Sequence, residues 1–139
     1  MYVTKAELID RFGEATLAQL TDRGDTEPGV IDDAVLTRAI DDAGATIDGY
    51  LKVRYTLPLS TTPPLLRALA QDLIFYRLHV HGAPEEARDR NRDAIRQLEG
   101  LSKGTLRLDV AGAEPAAPGE RPQVTGPARV FSRDTLESF

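Results

Sequence analysis

Residues 32–53 read DDAVLTRAIDDAGATIDGYLKV, and this stretch decides the fold class. Its apolar positions Val35, Leu36, Ala39, Ile40, Ala43 and Ile47, continued by Tyr50 and Leu51, step by one, three or four residues and so fall on one stripe of a 3.6-residue helix. Asp32 is the natural N-cap. Gly44 and Gly49 each cost about 1 kcal/mol against alanine inside a helix, which points to close helix packing or a bend near Gly49. Immediately beyond, Tyr55-Thr-Leu-Pro-Leu59 is expected to be extended, because Pro58 drives Leu57 out of helical geometry.

Moving outward, Thr62-Pro63-Pro64 opens a second long helix with its prolines in the first turn, where no amide donor is missed. Helical spacing places Leu65, Tyr76, Leu69, Val80, Leu73 and Leu66 on one broad apolar arc, with Phe75 and Leu78 pointing elsewhere. A helix apolar on a second side is either central to its domain or buried against a neighbour. In a chain this short, Phe75 and Leu78 read as a subunit contact. Gly82 and Pro84 separate this helix from the next, Pro84 to Lys103, ended by Gly104. Its narrow apolar stripe is Ala87, Ala94, Ile95, Leu98 and Leu101. The rest is acid-before-base pairing: Glu85 with Arg88, Asp89 with Arg92, Asp93 with Arg96, Glu86 with Arg90 and Glu99 with Lys103. Thr105 to Val110 has the makings of a short strand.

Toward the N-terminus, Thr4 and Glu7 have capping-box spacing, so a helix is expected to start at Lys5 and end at a left-handed Gly13. A short helix from Glu14 to Leu20 follows, then a loop of Asp, Gly, Glu and Pro from Thr21 to Gly29. Toward the C-terminus, residues 111–127 (AGAEPAAPGERPQVTGP) are too rich in Pro and Gly to bury a core and are expected to be a flexible spacer. Residues 128–139 regain apolar character at Val130, Phe131, Leu136 and Phe139, which reads as a docking arm on a tether. The expected organisation is a helical domain over residues 1–110, the spacer over 111–127 and the arm over 128–139. The fold class is all-α, a small helical bundle with short N-terminal helices and an extended C-terminal arm.

Composition narrows the function. The 139 residues carry 17 Lys and Arg against 22 Asp and Glu, a net charge of −5, and no window holds a basic cluster free of acids. That argues against a protein that grips DNA non-specifically. With no cysteine, disulfides, thiolate metal sites and Cys nucleophiles are excluded together. The longest apolar runs are too short for a membrane span, and Met1 is followed by a charged helix start, so a soluble chain without a signal segment is expected. Eight acids against three bases lie in residues 1–33, which makes the acidity N-terminal.

No constellation carries chemistry. His79 and His81, two apart on a helix, diverge by about 160° and cannot share a metal. Asp22, Asp25, Asp32 and Asp33 lack the glycine and glutamate spacing of a calcium loop. Arg23-Gly24-Asp25 is a chance match to an integrin tripeptide. Asp41 and Asp42 diverge on a helix, and neither a phosphate-cradling loop nor a nucleophile elbow occurs. The Arg88, Arg92 and Arg96 stripe is cancelled by neighbouring acids. Neither an enzyme nor a cofactor is expected. Arg77 in the apolar arc and Arg54 after Leu51 would need carboxylates if buried, and Asp48 or Asp72 are the candidates for a structural ion pair, with an intersubunit salt bridge the alternative.

Arg11-Phe12-Gly13, Leu20-Thr21-Asp22, Ile47-Asp48-Gly49-Tyr50-Leu51 with Arg54-Tyr55 and Leu57-Pro58-Leu59, Pro63-Pro64-Leu65-Leu66 and Tyr76-Arg77-Leu78 together resemble the Mu-like phage neck protein family. Residues 129–139 are similar to that family's C-terminal signature. The resemblance implies a head-tail connector, or adaptor: a non-enzymatic ring of about twelve copies below the portal protein that extends the DNA channel without specific DNA binding. It further implies contacts with neighbouring copies and with the next neck or tail protein, and a place in the virion neck after assembly in the host cytoplasm. A cytosolic helical dimer that regulates a partner is the alternative. A DNA-binding regulator would need a basic recognition helix that the sequence lacks.

Overall fold

A computed structural model describes residues 1–110. These form an all-α bundle of five helices: α1 (Lys5–Phe12), α2 (Glu14–Thr21), α3 (Asp33–Leu51), α4 (Pro64–Leu78) and α5 (Glu85–Lys103). The spacer and the docking arm expected over 111–127 and 128–139 lie outside the described residues.

Helices α1 and α3 start where their capping side chains sit. Thr4 and Glu7 complete a reciprocal box at α1, with the Glu7 amide donating to Thr4 Oγ1 and the Thr4 amide donating to Glu7 Oε2 at 2.8 Å. The amides of Ala34 and Val35 donate to Asp32 Oδ1 at 3.0 and 3.2 Å, which fixes the start of α3. Asp32 is itself tied back to α2. Its amide donates to Thr21 Oγ1 at 3.0 Å, while that hydroxyl donates to the Leu17 carbonyl at 2.8 Å. Thr21 is fully buried, so this one hydroxyl satisfies the polar groups where the end of α2 meets the start of α3. Gly104 ends α5 in the left-handed conformation, φ 85 and ψ 7. Gly13 also has positive φ, 89, but its ψ of 144 lies outside the left-handed helical region expected for it.

Helices α3, α4 and α5 pack against one another; α2 packs on α1 and α3, and α1 is tied to α4 through Arg11–Asp72 and Glu7–Arg67. From α3 the core takes Leu36, Ala39, Ile40, Ala43, Ile47 and Leu51, the stripe read from the sequence. From α5 it takes Ala94, Leu98 and Leu101. The buried face of α4 differs from the expected arc. It consists of Leu66, Leu69, Ala70, Leu73, Ile74 and Leu78, whereas Tyr76 and Val80 are exposed. Because α4 lies between α3 and α5, it buries two adjoining stripes, rotated toward the row Ala70–Ile74–Leu78. The helix also stops at Leu78, leaving Val80 off its surface. Leu78, expected at a subunit contact, is 2% exposed and belongs to the chain's own core.

Thr105–Val110 was expected as a strand and has none of the pairing of one. The segment is held to the bundle where the Leu106 amide donates to the Gly100 carbonyl at 3.1 Å and the Leu108 amide donates to the buried Tyr55 hydroxyl at 3.0 Å. A Cβ added at Gly44 would meet the Tyr2 ring at an ordinary 3.9 Å, and one at Gly49 would meet nothing within 4 Å, so neither glycine marks a tight helix crossing.

Candidate interaction surfaces

The first surface grows from α1 and α4. Arg11 donates through Nη2 to Asp72 Oδ1 at 2.8 Å and through Nη1 to Gln71 Oε1 at 2.9 Å, clasping the two helices. Its guanidinium also lies 5.0 Å from the centroid of the Phe12 ring. Phe12 stacks on Phe75 with centroids 4.3 Å apart and planes 13° from parallel, and His79 meets Phe75 edge-on at 4.7 Å. His79 Nδ1 is hydrogen-bonded to the Phe75 carbonyl at 2.7 Å. The half-buried Phe75 ring therefore has intramolecular partners on two sides. What it leaves open is a hollow of about 230 Å³ bounded by Phe12, Phe75, Pro84 and Ala87.

The four residues expected to form a structural ion pair are not brought together in that way. Asp72 pairs with Arg11. Asp48 accepts a hydrogen bond from the Tyr2 hydroxyl. Arg77 is exposed and donates to Thr46 Oγ1 at 2.8 Å. The rotation of the α4 face explains this: Arg77 is not in the middle of the buried arc and needs no carboxylate. Of the two arginines Arg54 is the partly buried one, and its Nε has no hydrogen-bond partner among the described residues. Its guanidinium lies against Gly104, so close that a Cβ there would sit 2.4 Å from Arg54 Nη1. That places a cation at the C-terminal end of α5, the negative end of the helix dipole.

No local spacing in the sequence points to Tyr2, because its partner lies 46 positions away. Burial, together with the hydrogen bond to and the negative charge of Asp48, pushes its hydroxyl pKa up from the ordinary tyrosine range. Tyr2 and Asp48 form one side of a cleft of about 360 Å³ closed by Leu57, Pro58, Leu59 and Thr62.

A third surface lies where α3, the end of α4 and the loop after α2 meet. It is a groove of about 280 Å³ with Val35, Ala39, Leu78 and Val80 along its floor and Arg23, Arg38 and Arg77 at its rim. Arg23 is held by carbonyls, donating to Leu20 at 2.6 Å and Leu78 at 3.4 Å. Among the described residues none of these three guanidinium groups has a carboxylate within ion-pair distance. The contrast with α5 is sharp, because Arg90 pairs with Glu86 at 2.5 Å, Arg92 with Asp89 at 3.1 Å and Arg96 with Asp93 at 3.7 Å.

The acidic loop has structural employment. Asp22 accepts from the Gly24 amide at 2.8 Å, Asp32 caps α3, and Asp33 pairs with Lys5 at 2.6 Å. Among the described residues no group of three or more His, Cys, Asp or Glu is placed to hold a metal ion. No helix among them is long and apolar enough to cross a membrane. Val130, Phe131, Leu136 and Phe139, the expected partner-docking residues, lie outside the described residues.

With this geometry in place, comparison with known proteins gives a match over residues 2–125 to the family described as Bacteriophage Mu, Gp36. The chain belongs to the phage Mu gp36 family. Two gp36-family relatives bear this out along their whole length. Gene product J of Escherichia phage Mu is 37% identical over 134 residues, covering 95% of this chain and 94% of that protein. The Mu-like prophage FluMu protein gp36 of Haemophilus influenzae is 30% identical over 140 residues, covering 100% of this chain and 98% of its own. The resemblance carried by the Arg11-Phe12-Gly13 and Ile47–Leu59 motifs is thus a family membership, and the gp36-family match takes in the entire helical body.

Proposed function

We propose that the chain is a structural head-tail connector of a tailed phage or phage-like particle, assembling as a ring of about twelve copies beneath the portal protein. In this reading the ring extends the DNA channel and offers the next neck or tail protein a platform. The single observation that carries it is membership of a phage Mu protein family over residues 2–125. The residues are consistent with a non-enzymatic part. Several of their charged groups are engaged in caps, helix clasps and i,i+3 or i,i+4 pairs, with no nucleophile–base arrangement among the described ones. A net charge of −5 suits a conduit that DNA traverses without adhering.

Two features support self-assembly and attachment. The open edge of Phe75 beside its hollow is the apolar element left for a neighbouring copy, now without Leu78. The Val130, Phe131, Leu136 and Phe139 arm is the element for docking on portal or neck partners, where many tethered copies would multiply weak contacts through effective concentration. Labelling the protein in purified particles tests the reading. It is expected at the head-tail junction, and a phage or prophage lacking it is expected to accumulate DNA-filled heads and separate tails. Fully joined particles without it would overturn the connector role. A soluble dimer absent from particles would favour the regulatory alternative.

A further inference from the structure

The groove at Arg23, Arg38 and Arg77 has the opposite sign to the molecule that bears it. The chain carries −5 overall, yet three guanidinium groups gather at this rim against the single carboxylate of Asp42. Its floor is apolar, and Val80 at its edge is 55% exposed. A fitting occupant presents an aliphatic side chain bracketed by carboxylates. The sequence beyond Val110 offers two apolar stretches, and their flanks differ in sign. Val130-Phe131 is flanked by Arg129 and Arg133, which the rim would repel. Leu136 is flanked by Asp134 and Glu137, which the rim would attract. Residues 111–133, if extended, span up to about 80 Å. The 19-residue α3, the length of the bundle, is about 28 Å long, so the reach exceeds the body.

We infer that the groove receives the Asp134–Glu137 segment of a neighbouring copy, with Leu136 on the Val35–Val80 floor and the two carboxylates facing the rim arginines. This deepens the connector reading by naming one subunit-to-subunit contact, and it rests on residues 128–139 being a docking arm. It moves Leu136 from the portal or neck partner to a neighbouring copy and leaves Val130-Phe131, with its basic flanks, for a different and acidic partner. Because the contact is heterologous, with groove and segment on different parts of the chain, it is able to pass from copy to copy around a ring.

The absence of cysteine makes the test clean. Full-length Val80→Cys and full-length Leu136→Cys are mixed and oxidised mildly. The expected product is the mixed disulfide between the two copies. Adding Arg38→Glu, or separately Arg77→Glu, to the Val80→Cys copy is expected to cut that yield about fivefold at 0.1 M salt, and Glu137→Arg in the other copy to restore it. Thermal melts confirm that each variant is folded, and two independent rim positions guard against one failing. No mixed disulfide, a yield indifferent to the rim charges, or a disulfide that forms only within a doubly substituted chain at any dilution would each overturn the inference. Absence from the particle neck would instead overturn the connector reading and leave this contact standing.

Discussion

Burial of the Tyr2 hydroxyl, its hydrogen bond to Asp48 and the negative charge of that carboxylate all disfavour ionisation, and they raise its pKa. In the unfolded chain the same hydroxyl titrates at about 10. Above that pH the unfolded state releases a proton the folded state keeps, so Tyr2 contributes stability that is fully present below pH about 10 and lost as pH rises further. Tyr2→Phe is therefore expected to flatten the decline in unfolding free energy between pH 9.5 and about 11, measured by urea titration; an unchanged slope would detach Tyr2 from Asp48. Leu78 offers a second test. As a core residue of α4, its replacement by alanine is expected to cost about 2–5 kcal/mol of stability in the isolated protein. A subunit-contact side chain would cost the monomer less than about 0.5 kcal/mol. At this scale the sequence was legible where partners are local. The box of Thr4 with Glu7 and the cap of Asp32 are three positions or fewer from the amides they serve. The Arg11–Asp72 and Tyr2–Asp48 contacts join residues 61 and 46 positions apart, which no spacing rule reaches.

The elements follow the same division. Helix α3 is bounded within two residues of the expected range because a strong N-cap and a single apolar stripe define it, and α5 ends at its left-handed glycine. The face of α4 was harder to read, since Leu, Ile, Phe and Tyr occur around most of its circumference and only the positions of α3 and α5 decide which are covered. The expected strand at 105–110 reflects local alternation, whereas the observed path is set by the Tyr55 hydroxyl and the Gly100 carbonyl. Gly104 is the element-scale residue most exposed to test. It combines φ 85 with an Arg54 guanidinium that a Cβ would strike. Gly104→Ala is expected to lower stability by about 1–2 kcal/mol in denaturant melts, with part of the loss recovered when Arg54→Ala makes room. If Gly104→Ala is neutral, neither the left-handed cap nor the Arg54 contact is what ends α5.

For the whole molecule, Asp22, Asp32 and Asp33 of the acidic loop are engaged with amides and Lys5, so chelation with EDTA is expected to leave the thermal midpoint unchanged. A fall of many degrees would reveal a metal that holds this loop. Truncation after Thr125 separates body from arm: the shortened chain is expected to keep its helicity and melting temperature while losing attachment to portal or neck partners. Loss of the fold, or unimpaired assembly, would remove the arm from the docking role. That the chain is a helical phage protein was legible from capping, periodicity and the Ile47–Leu59 motif, because each is written in contiguous residues. The rim of Arg23, Arg38 and Arg77 was not, because it is assembled from a loop and two helices. Ring formation on a portal is tested by the native mass of the full chain mixed with the portal protein of the same phage or prophage. The connector reading predicts monomers or small oligomers for the chain alone and about one copy per portal subunit in the mixture. A closed dimer that persists at every concentration and ignores the portal would contradict it.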